Sequence, residues 1–278
     1  MTMIPSEKSN CQPEYSLQKN VDRFTGFSNV YDRARPRMPD YPVRVIRQYL
    51  EREPDTVIDL GSGTGLSAMI WQGNCKQIIG IEPNEDMLNI AKSREGEGIS
   101  FRRGVAQKTG LPSSCADVVV CSQSFHWMEP FATLQEIDRL LKPGGVFATV
   151  DCDWPPVTKW QAEQAYLALY EKARYLEKTF LDTKDSFIRY NKNKHLENIQ
   201  NSGYFRYCRE IVFSNTEAFT SQRLLQLMLS QGSIQALLKR HSDVIQQDIE
   251  RFQNRMEEIF GRKDFEVDFC YRMRIAVK

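Results

Sequence analysis

Two carboxylates and a run of three glycines carry the clearest chemical signal in this sequence. In VIDLGSGTG, Val57 to Gly65, an apolar run leads into a loop with glycines at Gly61, Gly63 and Gly65 and Ser62 and Thr64 between them. Glycine tolerates positive φ and lacks a Cβ, so a ligand can approach the backbone there, and free amides at the start of a following helix would face it. The spacing departs from the GxGxxG of a dinucleotide site, because position 66 is Leu66. Asp59, two places before the first glycine, would repel a diphosphate and attract an ammonium or sulfonium. Glu82 closes the next apolar run in IGIEPNEDM, about twenty residues on, where such folds set a carboxylate against ribose hydroxyls. Pro83 and Met87 offer apolar and thioether contact to an adenine face, although a methionine at that spacing also serves as core filling. The chemistry expected is recognition of a positively charged nucleoside.

These residues need a scaffold that brings two strand ends into one crevice. Strands are predicted at TVIDL, KQIIGIE, ISFRR, DVVVCS and GVFATVD, and helices around Val43, Ile46 and Leu50, from Leu66 to Trp71, from Glu85 to Arg94 and from Phe131 to Leu141. Strands alternating with helices, several of them continuous β-branched runs, predict a doubly wound α/β fold with a mostly parallel, seven-stranded sheet. The last strand comes from Phe265, Val267, Phe269, Tyr271, Met273, Ile275 and Val277, an unbroken period of two. It is expected antiparallel to a strand from Tyr204 to Ser214. Helices are expected between these strands and before them: Val157 to Leu176, one ending at Gly203, Ser221 to Lys239, and Ser242 to Phe260.

Three segments follow from this pattern. Residues 1–42 form an N-terminal lid: the first dozen are polar, Val21, Phe24, Phe27 and Tyr31 make a short amphipathic helix, and the prolines Pro36, Pro39 and Pro42 hold an extended connector. Residues 43–153 form the cofactor-binding core. Residues 154–278 complete the sheet and supply helices, rich in aromatics such as Trp154, Trp160, Tyr166, Tyr170 and Phe187, that roof an acceptor pocket within the same structural domain. His195 and His241 are expected on the surface.

From Tyr31 to about Asp151, the motifs YDRARPRMPDYP, VIDLGSGTGLS, IGIEPNEDML, GVAQKTGLP, VVVCSQSFHWM and LQEIDRLLKPGG stand in the order in which strand ends feed one crevice. In them the chain resembles the class I S-adenosylmethionine-dependent methyltransferases, in particular the small-molecule group that includes trans-aconitate methyltransferase and the methyltransferase type 11 relatives. The resemblance implies S-adenosyl-L-methionine as cofactor and S-adenosyl-L-homocysteine as product. It implies that Gly61 to Gly65 approach the methionine part with Asp59 near its ammonium, and that Glu82 holds the ribose. Ala106 and Gln107 would flank the adenine, and Ser122 and Gln123 would line the route between cofactor and acceptor. Val105 stands where relatives often carry Asp, which leaves the adenine amino group to a backbone partner. His126 and Trp127 are a family hallmark after the fourth strand: His126 either moves a proton at the acceptor or makes a structural hydrogen bond, and Trp127 mainly packs. Arg33, Arg35 and Arg37 belong to the segment that closes over the cofactor in the family, so Tyr31 and Arg35 are expected against the cofactor carboxylate or an anionic acceptor rather than in a solvated charge run. The DCDWPP run resembles the proline-aromatic motif of nucleobase amino-methyltransferases, but it follows the fifth strand instead of the fourth.

The activity so implied is methylation of a small molecule, at a carboxylate or hydroxyl oxygen. An NAD(P)-linked oxidoreductase is disfavoured by Leu66 and by the lack of a Tyr and Lys catalytic pair, and a non-catalytic regulatory protein that binds the cofactor is the other alternative. Composition narrows the partners. Among 278 residues, 37 Lys plus Arg against 36 Asp plus Glu give a net charge of +1, so no global field draws the chain to nucleic acid or an anionic bilayer. No apolar run reaches the roughly 18 to 20 residues of a membrane helix, and the N-terminus lacks the order of a secretory signal, so a cytoplasmic monomer or homodimer is expected. Seven scattered cysteines without a CxxC pair, and three histidines, predict reduced, mostly buried thiols and no metal site.

Overall fold

Val118 to Cys121, an unbroken apolar run, is buried on both faces, as a strand in the middle of a covered parallel sheet must be. The structure, a computed structural model, describes residues 14–180 and 187–278; Cys11 and the polar first dozen residues lie outside the described residues. In chain order come α1 (Glu14–Asp22), α2 (Ser28–Ala34), α3 (Tyr41–Leu50), β1 (Thr56–Leu60), β2 (Gln77–Glu82), α4 (Glu85–Lys92), β3 (Ile99–Arg103), β4 (Ala116–Ser122), α5 (Pro130–Leu140) and β5 (Leu141–Cys152). Then follow α6 (Trp160–Phe180), α7 (His195–Asn201), β6 (Tyr207–Phe219), α8 (Ser221–Leu229), α9 (Gly232–Arg240), α10 (Gln246–Phe260) and β7 (Phe265–Val277).

The seven strands form one sheet in the order β3-β2-β1-β4-β5-β7-β6. β1 to β5 run parallel, and β7 is antiparallel to both β5 and β6. Successive strand residues point to opposite faces, so Val57, Val118 and Val120 pack with α3, α4, α6 and α8 to α10, while Ile58, Val119 and Cys121 pack with α5 and α7. Truncating a side chain as enclosed as Ile58 would cost about 2–5 kcal/mol. The strand order reverses between β1 and β4, the place where a crevice opens outside the carboxyl ends of a doubly wound sheet. Leu60 lies level with Ile81, and Ser122 with Val150, so the residues just after β1, β2 and β4 and the end of β5 share one rim.

Local chemistry sets the entries to the helices. The Asn84 side chain accepts the Met87 N–H at 3.0 Å to cap α4, and Glu129 accepts from Phe131 and Ala132 ahead of α5, which opens on Pro130. No helix among the described residues is long and apolar enough to cross a membrane.

Several predicted elements differ in detail. The amphipathic segment from Val21 to Tyr31 is broken by a turn containing Gly26 at φ +82°. Leu66 to Trp71 narrows to one 3₁₀ turn, Ala68–Trp71, because the stretch between Gly65 and Gly73 is too short for an α-helix to outlast its uncapped ends. α6 starts three residues after Val157, which instead exchanges backbone hydrogen bonds with Asp268. The stretch from Ser221 to Lys239 splits at Gln231, whose backbone is extended. β6 begins and ends later than its apolar pattern suggests, because its length is set by full pairing with β7 from Tyr207↔Val277 to Phe219↔Phe265. Of the six described cysteines, all free, only Cys121 and Cys152 are fully buried.

Candidate functional site

The glycine loop is shaped by contacts that exclude side chains. Gly61 stands at φ +67°, and a Cβ there would lie 2.6 Å from Ser124 Cβ; Gly65 stands at φ +88°, and its Cβ would lie 2.8 Å from the Phe101 ring. Gly63, also at positive φ, has nothing within 4 Å of where a Cβ would be, so the space above it is left for a ligand. Gly61 N–H and Ser62 N–H both donate to Ile81 O, which ties the loop to the end of β2. The single 3₁₀ turn that follows offers fewer aligned amides than the helix expected from the sequence. Glu82 takes up one of the remaining amides: its Oε2 accepts the Gly63 N–H and its Oε1 the Asn84 N–H, each at 2.8 Å. Burial pushes the Glu82 carboxyl up to about 7 despite those two donors.

Asp59 departs from its expected place. It is wholly buried beneath the loop, accepts the Ser67 hydroxyl at 2.5 Å, and does not line the cleft. Burial raises it to about 7, with the Ser67 hydroxyl opposing and the Glu82 charge adding. The carboxylate sits beneath the loop rather than on the cleft wall, with its Oδ1 left without a hydrogen-bond partner.

Over the rim lies a cleft enclosing about 1250 Å³ of empty space, part of it open to solvent. Gly61, Gly63, Glu82, Pro83, Met87, Val105, Ala106, Gln107, Ser122, Gln123, Tyr31, Arg35, His126 and Trp127 all line it. Ser62 and Thr64 instead line an adjoining recess of about 580 Å³ that shares Tyr31, Arg35 and Gln123. Their hydroxyls, and Arg35 Nε, are buried without a hydrogen-bond partner. Gly65 lines neither space and packs against Phe101.

The roof is pinned from several sides. Asn20 donates to Trp127 O and Ile188 O and accepts from Ile188 N–H, all at 2.9 Å. Arg23 Nη1 meets Glu177 Oε1 at 2.5 Å, with the guanidinium 3.9 Å from the centre of the Phe187 ring. Arg94 bridges the glycine loop to α2 by donating to Thr64 O and, bidentately, to Asp32. Arg35 donates to Ser230 O at 3.0 Å and lies over the Tyr31 and Trp154 rings. The break between α8 and α9 puts Ser230 to Ser233 on the cleft wall.

One part of the site was not foreseen. Asp151, near the end of β5 and 1% exposed, gathers Lys192 Nζ, His195 Nδ1 and Arg274 Nη1, each at 3.0 Å, with His126 Nδ1 at 3.5 Å. Burial alone would raise its carboxyl, yet the two imidazoles and Lys192 hold it well below the usual carboxylate range. His195, expected on the surface, is fully buried in this cluster, and His241 is half-buried against Phe180. Buried Arg274 on β7 was the one visible signal, a charge inside the apolar end of a regular strand. His126 is pulled down to about 3, chiefly by burial and despite Asp151, so it stands neutral and weakly basic. Gln123 adopts φ +54°, outside the range comfortable for a side chain, and its amide reaches Lys192 at 3.0 Å.

The chain resembles known methyltransferases in sequence and in fold. Residues 58–149 match the methyltransferase domain model. The chain is 24% identical over 261 residues, 92% of its length and 95% of the relative's, to an uncharacterized methyltransferase-like protein of Schizosaccharomyces pombe. It is 33% identical over 125 residues to an uncharacterized methyltransferase of the same yeast, covering 43% of this chain and 48% of that one. A solved structure from Anaeromyxobacter dehalogenans, described as a candidate type II methyltransferase, superposes with a TM-score of 0.64 at 16% identity over 87% of this chain and 97% of its own. That likeness shows the seven-stranded methyltransferase fold. Sequence and fold together show a methyltransferase domain in this chain, matched over residues 58–149 and carried on a seven-stranded methyltransferase fold.

Proposed function

We propose that the protein transfers a methyl group from S-adenosylmethionine to a carboxylate oxygen of a small molecule. The observation that carries this reading is the charge of the cleft wall: Arg35 and Arg189 line it with no carboxylate partner among the described residues, beside Arg23 and Lys192, which pair with Glu177 and Asp151, and Glu82 is the one acid among the lining residues. Cofactor binding rests on the loop and β2: the open space above Gly63 and the Glu82 carboxylate suit ribose hydroxyls, while Pro83, Met87, Ala106 and Gln107 suit the adenine. Unpartnered Arg35 Nε and the Ser62 and Thr64 hydroxyls suit the charged methionine end.

When bound, the cofactor supplies an electrophilic methyl carbon on a sulfonium. The chain has to bind the acceptor beside it, align it and exclude water. A carboxylate, ionised at neutral pH, needs no base, which fits a His126 that burial holds neutral and weakly basic. A hydroxyl acceptor would draw on that same imidazole, with Asp151 at 3.5 Å to orient it.

The test has two stages. S-adenosylhomocysteine should bind saturably in isothermal titration; no binding at millimolar concentration would end the cofactor reading. Tritiated methyl transfer across matched carboxylic acids, alcohols and phenols should then label acids as base-labile esters. Label found solely in base-stable ethers would assign a hydroxyl acceptor instead.

A further inference from the structure

Lys192 carries a donor that the fold does not use. Its Nζ lies 3.0 Å from Asp151 Oδ1 and 3.0 Å from Gln123 Oε1, and an ammonium has three N–H donors. Lys192 lines the cleft with its side chain 20% exposed, so the third donor has the cleft to face. Neither neighbour is free to drift. Asp151 Oδ2 is held by Arg274 and His195, each at 3.0 Å. Gln123, strained at φ +54°, is fixed by its own N–H on Val150 O at 2.9 Å. The Tyr190 N–H, donated to His126 O at 2.8 Å, anchors the segment that carries Lys192.

The position favours the acceptor over the cofactor. Glu82 ends β2, whereas Asp151 and Lys192 sit over the end of β5, three strands further along the sheet, about 14 Å at the usual strand spacing. A ribose at Glu82 leaves Lys192 to the other end of the cleft. Arg189 lines that same end, 5.5 Å over the Trp127 ring, and pairs with no carboxylate among the described residues. Asp151 balances the Lys192 charge in part, so this end offers a directed donor and the unmatched Arg189 charge, the pairing that a carboxylate satisfies.

We propose that Lys192 binds the acceptor's carboxylate, with Asp151 and Gln123 as positioning residues that aim its third donor into the cleft. The assignment rests on the carboxylate reading above and adds the residue that selects for it. A lysine buried only to balance Asp151 would give the same ion pair, so the test must separate binding from folding. Lys192→Met keeps the unbranched apolar stem, one atom shorter, without the charge, and leaves Asp151 with Arg274 and His195.

The experiment titrates the full chain, saturated with S-adenosylhomocysteine, with small mono- and dicarboxylic acids and their primary amides by calorimetry. At least one acid should bind the wild type while its amide does not. Lys192→Met should weaken that acid by about tenfold or more, as loss of a charge-assisted hydrogen bond does, and Lys192→Arg should recover most of the loss. S-adenosylhomocysteine should bind all three proteins within about twofold, which a disturbed fold would not allow. Equal acid binding by wild type and Lys192→Met, or no acid binding to a wild type that holds S-adenosylhomocysteine, overturns the assignment. A wild type that does not bind S-adenosylhomocysteine overturns the cofactor reading first, and the assignment with it.

Discussion

Glu82 accepts the Gly63 backbone N–H at 2.8 Å, joining the end of β2 to the one glycine of the loop with open space above it. The contact links the two halves of the proposed nucleoside site, so a change in the charge of Glu82 reaches the loop as well as the ribose. Burial pushes Glu82 to about 7, and Asp59 likewise. Both folded values lie above those of the unfolded chain, so the folded state holds these protons more tightly. The stability they contribute is complete below about pH 4 and is lost as pH rises through about 7. Without ligand, wild type should therefore lose more stability between about pH 5.5 and 8 than Glu82→Gln does, as read from urea midpoints. Affinity should run the other way, because ribose hydroxyls donate to the ionised carboxylate: S-adenosylhomocysteine should bind more tightly at about pH 8 than at 6. Glu82→Gln should bind it about ten- to a hundredfold more weakly, with little pH dependence. A wild-type affinity that is flat across this range would contradict the assigned role.

The glycines of the loop divide by what surrounds them. Gly63→Ala meets no atom within 4 Å and bears only the strain of positive φ, about 1–2 kcal/mol. It should fold and lose cofactor affinity. Gly65→Ala drives a Cβ to 2.8 Å from the Phe101 ring and should lower the melting temperature more, although Gly65 lines no cavity. Thermal unfolding paired with titration separates the two; equal effects on both properties would refute the distinction.

His126 separates the acceptor chemistries. If the acceptor is a carboxylate, His126→Ala should keep the rate within about tenfold, the loss coming from altered packing beside Trp127 and Asp151. If the acceptor is a hydroxyl, the same change should cost about a hundredfold or more in kcat. Single-turnover rates of the two proteins, with cofactor affinity as the control, decide between them.

The roof should be sensitive to its buried ion pair. Arg23 and Glu177 meet with side chains 9% and 7% exposed, and Ser233 Oγ donates to Glu177 at 2.6 Å. Arg23→Met leaves that carboxylate with one hydroxyl, which should cost about 3–5 kcal/mol, whereas replacing both partners by Met should recover much of the loss. Urea denaturation of the four proteins of the cycle measures the coupling. A near-additive cycle would mean that Arg23 and Glu177 do not act as a unit in holding the roof.

The cofactor side was written in the sequence because its determinants are local. A glycine loop after a strand, an acid at the end of the next strand and the HW pair after the fourth are each fixed by a few consecutive residues, and the parallel βα order brings their ends to one rim whatever the details of packing. Even there the place of Asp59 was not legible, since spacing shows that an acid precedes the loop but not that Ser67 and burial turn it inward. The acceptor side was decided by tertiary structure. Gln123, His126, Asp151, Lys192, His195 and Arg274 come from four separate stretches of the chain, and no periodicity marks these stretches as partners. What unites them is the cost of burying Asp151, which only cations and imidazoles drawn from distant parts of the chain can offset. The split at Gln231 was likewise not legible in the periodicity, although Gly232 follows it: the guanidinium of Arg23, from a distant part of the chain, lies where a side chain at 232 would be.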